Sequence, residues 1–386
     1  MKSERIKILH VAATTTGGVG QVILDLLKHL DKDEFDVSVA FGQGYWLDKE
    51  FATLDNRKQL LPLTRKISIL GSIKSIIILY KLIKKEGFDI VHTHTSIGGL
   101  VGRIAAWLAG VPVVIFHIHA LASHPHQNPL KRKVFWILER LLDLITDHYI
   151  SVSEEYKRQG CSSGLFSPSR VDTIINGAEP SPLPPKAKAD TRAKLRKQLA
   201  IAPDTFVVGT VTRLEPQKAV HVLIKGFSLF TQKHPEVQLL IAGDGYLHNQ
   251  LELLTEKLDV HEQVHFLGWR DDVRELLTVF DVFALSSRWE GLPIAILEAM
   301  SGRCPVISTS IGGIPEMIES ELDGLLVPED DDEMLFQALQ RVYQNQALAE
   351  RLAKNALNSF ENKFSMARMI KQHEALYKRL FASSKP

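Results

Sequence analysis

Residues 205–218 read TFVVGTVTRLEPQK. The run 205–211 is apolar and β-branched, of strand length, and Arg213 follows it directly. Lys218 then stands at the start of a helical pattern. Just upstream, Pro180, Pro182, Pro184 and Pro185 arrive in quick succession. Proline removes backbone donors and blocks regular structure, so these residues mark a linker. The charged stretch KAKADTRAKLRKQL (186–199) continues it as a connecting helix. The strand at 205–211 is therefore a restart, and reading outward from it divides the chain into two series.

Upstream, short apolar runs at 6–12, 36–41, 90–94, 113–117, 148–151 and 171–175 alternate with helical patterns such as 19–30, 98–109 and 130–144. Downstream, runs at 205–211, 237–242, 264–267, 282–285 and 306–309 alternate with helical patterns at 221–232, 247–257 and 272–280. Such alternation predicts parallel sheets covered by helices on both faces. The fold class is α/β, two doubly wound halves with a ligand crevice at the carboxyl ends of the strands. A further helix is expected over 364–380.

Composition sets the frame. The 386 residues suit two domains. Hydrophobic content of 45% and charged content of 24% fit a globular protein with a sizeable core. A net charge of +1 supplies no global field for nucleic acid, so none is expected as a partner. Cys161 and Cys304 are too few for a disulfide framework or a zinc site and agree with a reducing, cytoplasmic setting. The apolar run in MKSERIKILHVAA is too short for a signal core. The stretch 66–85, KISILGSIKSIIILYKLIKK, is interrupted by Lys74 and Lys81 and would span a membrane poorly. With Lys131, Arg132 and Lys133 beside Phe135 and Trp136, it could instead lie on an anionic membrane, or pack as an amphipathic helix on the first sheet.

Three features carry chemistry. The first strand runs into Thr14-Thr15-Thr16-Gly17-Gly18-Val19-Gly20. Glycines there let backbone amides approach an anion at a helix start, or simply make a tight turn. The G-G-x-G spacing departs from the dinucleotide fingerprint G-x-G-x-x-G. Arg213 and Lys218 can grip a diphosphate, or be a solvated charge pair. The segment 290–300, EGLPIAILEAM, puts Glu290 in a loop, Pro293 in the first turn of a helix and Glu298 on that helix. Two carboxylates can accept sugar and ribose hydroxyls, or cap and pair locally.

Taken in order, these segments resemble the retaining family 4 glycosyltransferases of the GT-B fold. The resemblance covers nearly the whole chain. It rests on Gly17-Gly18-Val19-Gly20, FDIVHTHTSIGG (88–99), GVPVVIFHIHA (110–120), IING (174–177), TRLEPQK (212–218), AGDG (242–245), LGW (267–269), EGLPIAILEAM and GGIPEMI (312–318). It implies two Rossmann-like domains facing across a cleft: 1–178 on the acceptor side, a linker and connecting helix over 179–200, and a nucleotide-sugar domain over 201–363. Residues 364–386 would return to the first domain. It implies that Arg213 and Lys218 grip the diphosphate and stabilise it as it leaves. Glu298 would accept ribose hydroxyls, and Glu290 would hold the donor sugar. The backbone of Gly291 and Leu292 would orient that sugar, Gly17 and Gly18 would bring amides to the phosphate, and His117 would face the transferred sugar. Many relatives carry glycine where this chain has Thr212, Ala219 and Pro293.

The activity so implied is transfer of a sugar from a nucleotide-diphosphate-sugar, UDP-sugar being the family's most frequent donor. The acceptor would be a glycan, a lipid-linked molecule or a small molecule, in bacterial-type polysaccharide or glycolipid synthesis. No cofactor beyond the donor is expected. No metal is expected either: there is no D-x-D element after a strand, and Asp271-Asp272 and Asp330-Asp331-Asp332 fall at predicted helix starts. His117, His119, His124 and His126 lack a carboxylate or cysteine to complete a ligand set, and His92 and His94 end a buried strand. Residues 123–129 form a candidate acceptor loop. Peripheral contact at the inner face of a membrane fits a lipid-linked acceptor. A nucleotide-sugar epimerase of the same fold and a non-catalytic nucleotide-sugar binder are the competing readings.

Overall fold

The computed structural model describes residues 5–15, 17–42, 48–64, 68–121, 126–180 and 184–385. Thr16, Lys66, Ser123, His124 and Pro182 lie outside them, and with them residues 123–125 of the candidate acceptor loop. The chain divides into two compact units: residues 1–176 with 366–386, and residues 177–365. The helix after the prolines, expected to be a connector, belongs to the second unit.

The first unit holds strands β1 (Ile6–Ala12), β2 (Phe35–Gly42), β3 (Lys58–Leu61), β4 (Ile90–His94), β5 (Val113–Ile118), β6 (His148–Ser151) and β7 (Val171–Thr173). Its helices are α1 (Gly17–His29), α2 (Asp48–Thr53), α3 (Ile69–Glu86), α4 (Ser96–Ala109), α5 (Pro129–Asp143) and α6 (Glu154–Ser162). The seven strands are parallel, in the order β3-β2-β1-β4-β5-β6-β7. Side chains alternate across a strand, so each residue chooses a face by parity. Leu9, Val11 and Val91 pack with Leu79, Ile83 and Val101 of α3 and α4. His10 and His92 take the opposite parity.

The second unit begins with α7 (Pro185–Gln198). It continues through β8 (Val207–Val211), α8 (Val220–Thr231), β9 (Gln238–Ala242), α9 (His248–Lys257), β10 (Val264–Gly268) and α10 (Val273–Leu276). It ends with β11 (Val282–Leu285), α11 (Ile294–Ser301), β12 (Val306–Thr309), α12 (Ile314–Met317), β13 (Leu325–Val327), α13 (Asp332–Gln344) and α14 (Gln346–Lys363). Its six parallel strands run β10-β9-β8-β11-β12-β13. Phe227, Phe230, Leu239, Ile241 and Val282 sit in its core.

Residues 366–384 form α15 (Met366–Ser384), which packs on α1 and β5 of the first unit and buries Ile370, His373, Leu376 and Tyr377. Three expectations shift at their edges. Helix α1 starts at Gly17 and not Val19, α10 spans four residues only, and Lys218 ends a 3₁₀ turn (Pro216–Lys218) before α8 begins at Val220. Among the described residues no helix is long and apolar enough to cross a membrane.

Candidate functional site

In the second sheet the strand order reverses between β8 and β11. Loops leaving the carboxyl ends of strands at such a reversal make the ligand crevice of an open α/β sheet. The β8 loop carries Arg213 to Lys218, and the β11 loop carries Ser286 to Pro293. The two loops are bonded together through the backbone. Arg288 N donates to Gln217 O at 2.8 Å, and Ser286 Oγ reaches Lys218 O and Ala219 O, both at 3.1 Å.

Side chains complete the link. The Lys218 ammonium pairs with Glu290 Oε1, which also accepts from Ser287 Oγ at 2.7 Å. Gln217 stands between cation and carboxylate. Its Nε2 donates to Trp289 O at 2.7 Å and to Glu290 Oε2 at 3.4 Å, while its Oε1 accepts from Arg213 Nη2 at 3.3 Å. Arg213 Nη1 binds Glu215 Oε2 at 2.6 Å. Glu290 is only 6% exposed, so its charge must be met by these donors. Arg213, Lys218 and Glu290 are thus brought into one network, with Gln217, Glu215 and Ser287 as members that the sequence reading did not single out. Gln217 had a signal in hand, its place directly before Lys218.

Glycine shapes these loops where backbone approaches backbone. Gly312, at φ 52°, would place a Cβ 1.9 Å from Glu290 O. Gly243, at φ 131°, would place one 1.8 Å from Thr212 O. Ala219 adopts the left-handed region, φ 45° and ψ 38°, at a position where the family's common glycine would sit without strain. Pro293 stands at the N-cap of α11 and, having no N–H, offers no amide there. Gly291 and Leu292 are buried in the loop before it, and Glu298 lies half-buried on α11. Asp331 caps α13 through Met334 N at 2.8 Å, whereas Asp330 and Asp272 instead pair with Arg288 and Arg270.

The remaining candidates belong to the first unit. Gly17 takes φ 64°, a conformation that suits glycine, and Gly18 is exposed in the first turn of α1. His117 is 1% exposed on β5, and both its ring nitrogens lack a hydrogen-bond partner. It does not sit with His126, which is exposed. It belongs to a stack of six imidazoles: His10, His92, His94, His117, His119 and His373. His94 accepts or donates at both ends, 3.0 Å from His10 Nδ1 and 3.0 Å from His119 Nε2, and His92 Nδ1 meets the Tyr377 hydroxyl at 2.7 Å. Burial lowers every one of these imidazoles, with neighbouring rings adding to the effect at all but His373; His10 and His119 are held at about 3 and His373 at about 4. The cluster is therefore neutral at pH 7. His10, His92 and His94, or His94, His117 and His119, are the described residues that could together hold a metal ion. The bonds from His94 satisfy both its own nitrogens, His10 Nδ1 and His119 Nε2, while His10 Nε2, His92 Nε2 and both His117 nitrogens have no partner.

Two family models match the chain: "Glycosyltransferase Family 4" over residues 16–181 and "Glycosyl transferases group 1" over residues 191–359. The chain is 33% identical over 385 residues to the UDP-Gal:alpha-D-GlcNAc-diphosphoundecaprenol alpha-1,3-galactosyltransferase of Escherichia coli, covering 98% of each. It is 25% identical to the capsular polysaccharide biosynthesis glycosyltransferase CapM of Staphylococcus aureus, covering 91% of this chain and 92% of that protein. Anabaena Alr3699/HepE, solved with UDP-glucose, superposes with a TM-score of 0.84 at 22% identity, covering 97% of this chain and 100% of the other.

Proposed function

Since the chain belongs to the family 4, group 1 glycosyltransferases and has their GT-B fold, we propose that it moves a sugar from a UDP-sugar to a lipid-linked acceptor with retention of configuration. The observation that carries the donor half is the network of Arg213, Gln217, Lys218 and Glu290 at the strand reversal of the second sheet. A relative that acts on UDP-Gal and a diphosphoundecaprenol acceptor, and a neighbour solved with UDP-glucose, support the choice of donor and acceptor.

The geometry suggests how the residues act. In the structure Arg213 pairs with Glu215 and Lys218 with Glu290. A diphosphate carries more charge than either carboxylate and takes both cations. Glu290 is then released to accept hydroxyls of the donor sugar, and Glu298 those of the ribose. As the sugar acquires oxocarbenium character, negative charge grows on the departing phosphate, and two fixed cations stabilise it there. Two cations in that role make a metal-independent reaction the working mechanism, with no cofactor beyond the donor. By the family resemblance, Gly17 and Gly18 would bring amides toward the phosphate, Gly291 and Leu292 would orient the sugar, and His117, neutral at pH 7, would face it. The acceptor hydroxyl attacks on the face the phosphate leaves and passes its proton to an oxygen of that departing phosphate, which accounts for retention. The setting is the cytoplasmic face of a membrane.

The test has two parts. Calorimetric titration with UDP, GDP and ADP should show binding of UDP alone. Incubation with UDP-sugars and an undecaprenyl-diphosphate-linked sugar should then yield a lipid one hexose heavier by mass spectrometry. A new nucleotide-sugar formed without acceptor would assign an epimerase instead, and UDP binding with no product of either kind would assign a binder.

A further inference from the structure

We infer that α3, α4 and α5 form a docking face for an anionic phospholipid bilayer. The inference rests on the proposed function only in choosing a bilayer as the occupant.

Helix α5 is the clearest element. Of its fifteen residues only Leu142 and Asp143 are buried. Leu130, Val134, Ile137 and Leu141 repeat at helical spacing, and all are exposed, Leu130 at 73% and Leu141 at 59%. Leu138 and Leu144 widen the same stripe. A stripe of this kind normally turns into the core. Here the opposite side of the helix does so, with Phe135 and Trp136 lining a small aromatic pocket and Glu139 bonded to the buried Arg103 of α4 at 2.9 Å. Asn128 caps the helix and Pro129 starts it, so the helix is fixed while its leucines face outward.

The neighbouring helices continue the pattern. Helix α4 packs against both α3 and α5 and exposes Trp107 and Leu108 at its end. Helix α3 buries Gly71, Ser75, Leu79 and Ile83 on one side and exposes Ile69, Leu70, Ile73 and Ile77 on the other, Ile69 at 74%. Exposed apolar side chains gathered on neighbouring helices of a globular protein mark a contact site.

Charge selects the occupant. Among the described residues, Lys74, Lys81 and Lys84 on α3 and Lys131 and Lys133 on α5 are exposed and form no ion pair. On the wheel of α5, Lys131 and Lys133 flank the leucine stripe from its two sides. An apolar centre with a cationic border suits a helix lying in the headgroup region, hydrocarbon below and lysines at the phosphates. A second protein copy would bring like charges together at that border.

The experiment uses the full chain with extruded vesicles of phosphatidylcholine, alone or with about one-third phosphatidylglycerol. The protein should sediment with the anionic vesicles and stay in solution with the neutral ones. Lys131→Glu and Lys133→Glu should each weaken binding by at least roughly fivefold, and Ile137→Ser with Leu141→Ser should abolish it. These side chains are exposed, so unfolding temperatures should not move. A readout without mutation is quenching of tryptophan emission by brominated lipid, which should diminish in Trp107→Phe. Wild-type protein left in solution by both vesicle types would overturn the inference. So would a serine pair that halves the mass in sedimentation velocity, because the face would then hold a second copy. UDP titration without vesicles keeps the two readings apart: its failure would remove the proposed donor and leave the bilayer face standing.

Discussion

Lys218 and Glu290, 72 positions apart in the chain, meet as an ion pair at the strand reversal of the second sheet. Their side chains are 13% and 8% exposed, so neither charge has water as a ready substitute partner. The pair holds two loops together, and under the proposed function it also keeps a cation in place for the donor, two roles that mutation can separate.

Lys218→Ala should leave the Glu290 carboxylate buried without its counter-charge, at a cost of about 3–5 kcal/mol in stability. UDP affinity should fall by roughly tenfold or more, the value of one charged hydrogen bond. Adding Glu290→Gln removes the stranded charge. The double variant should recover much of the unfolding temperature and none of the UDP binding. Thermal unfolding and calorimetry on all four proteins give the coupling. A double variant that binds UDP like the wild type would take Lys218 away from the diphosphate.

Gly312→Ala should cost sugar transfer more than stability. Its Cβ would lie 1.9 Å from Glu290 O in a left-handed backbone, so the β11 loop must move to admit it. Strain of this kind costs on the order of 1–3 kcal/mol, which a domain can survive. Misplacement of the Glu290 backbone should lower kcat by about a hundredfold. Equal kcat in the variant and wild type would separate the loop from the chemistry.

Acid should unfold the first unit through its imidazoles. Folded, His10 and His119 titrate at about 3 and His373 at about 4, while His92, His94 and His117 lie well below 6.5. Unfolded, each regains an ordinary value near 6.5. As pH drops below that value, the unfolded chain takes up protons that the folded chain refuses. Stability is therefore complete above pH 6.5 and declines toward the folded values. Each imidazole contributes a slope of about 1.4 kcal/mol per pH unit in that window. Unfolding temperatures that stay level from pH 7.5 to about pH 5 would remove the cluster from the acid response.

The two α/β series were legible because β-branched runs of strand length recur between helical patterns, and the prolines punctuate them. Strands β3 and β13 escaped notice. Strand β3, KQLL, has no β-branched residue and β13, LLV, has one, so neither shows the β-branched run that marks the equally short edge strand β7. Arg213, Lys218 and Glu290 could be picked out as charges flanking strands and helices. That Arg213 and Lys218 are each met by a carboxylate of the chain could not, since Glu290 reaches Lys218 only once β8 and β11 are neighbours. The histidine cluster shows the same limit. His117 and His119 are close in sequence, but His10 joins them through strand register and His373 through α15. Spacing along the chain also suggested His124, which lies outside the described residues, and His126, which is exposed.

Helix α15 carries one more implication. It places His373 and the fully buried Tyr377 against strands made more than two hundred residues earlier, with the Tyr377 hydroxyl 2.7 Å from His92. During synthesis the second unit, residues 177–365, leaves the ribosome whole while the first still lacks part of its interior. The amino-terminal half must wait, incomplete, for the later half to be made, so the order of translation is the reverse of the order of completion.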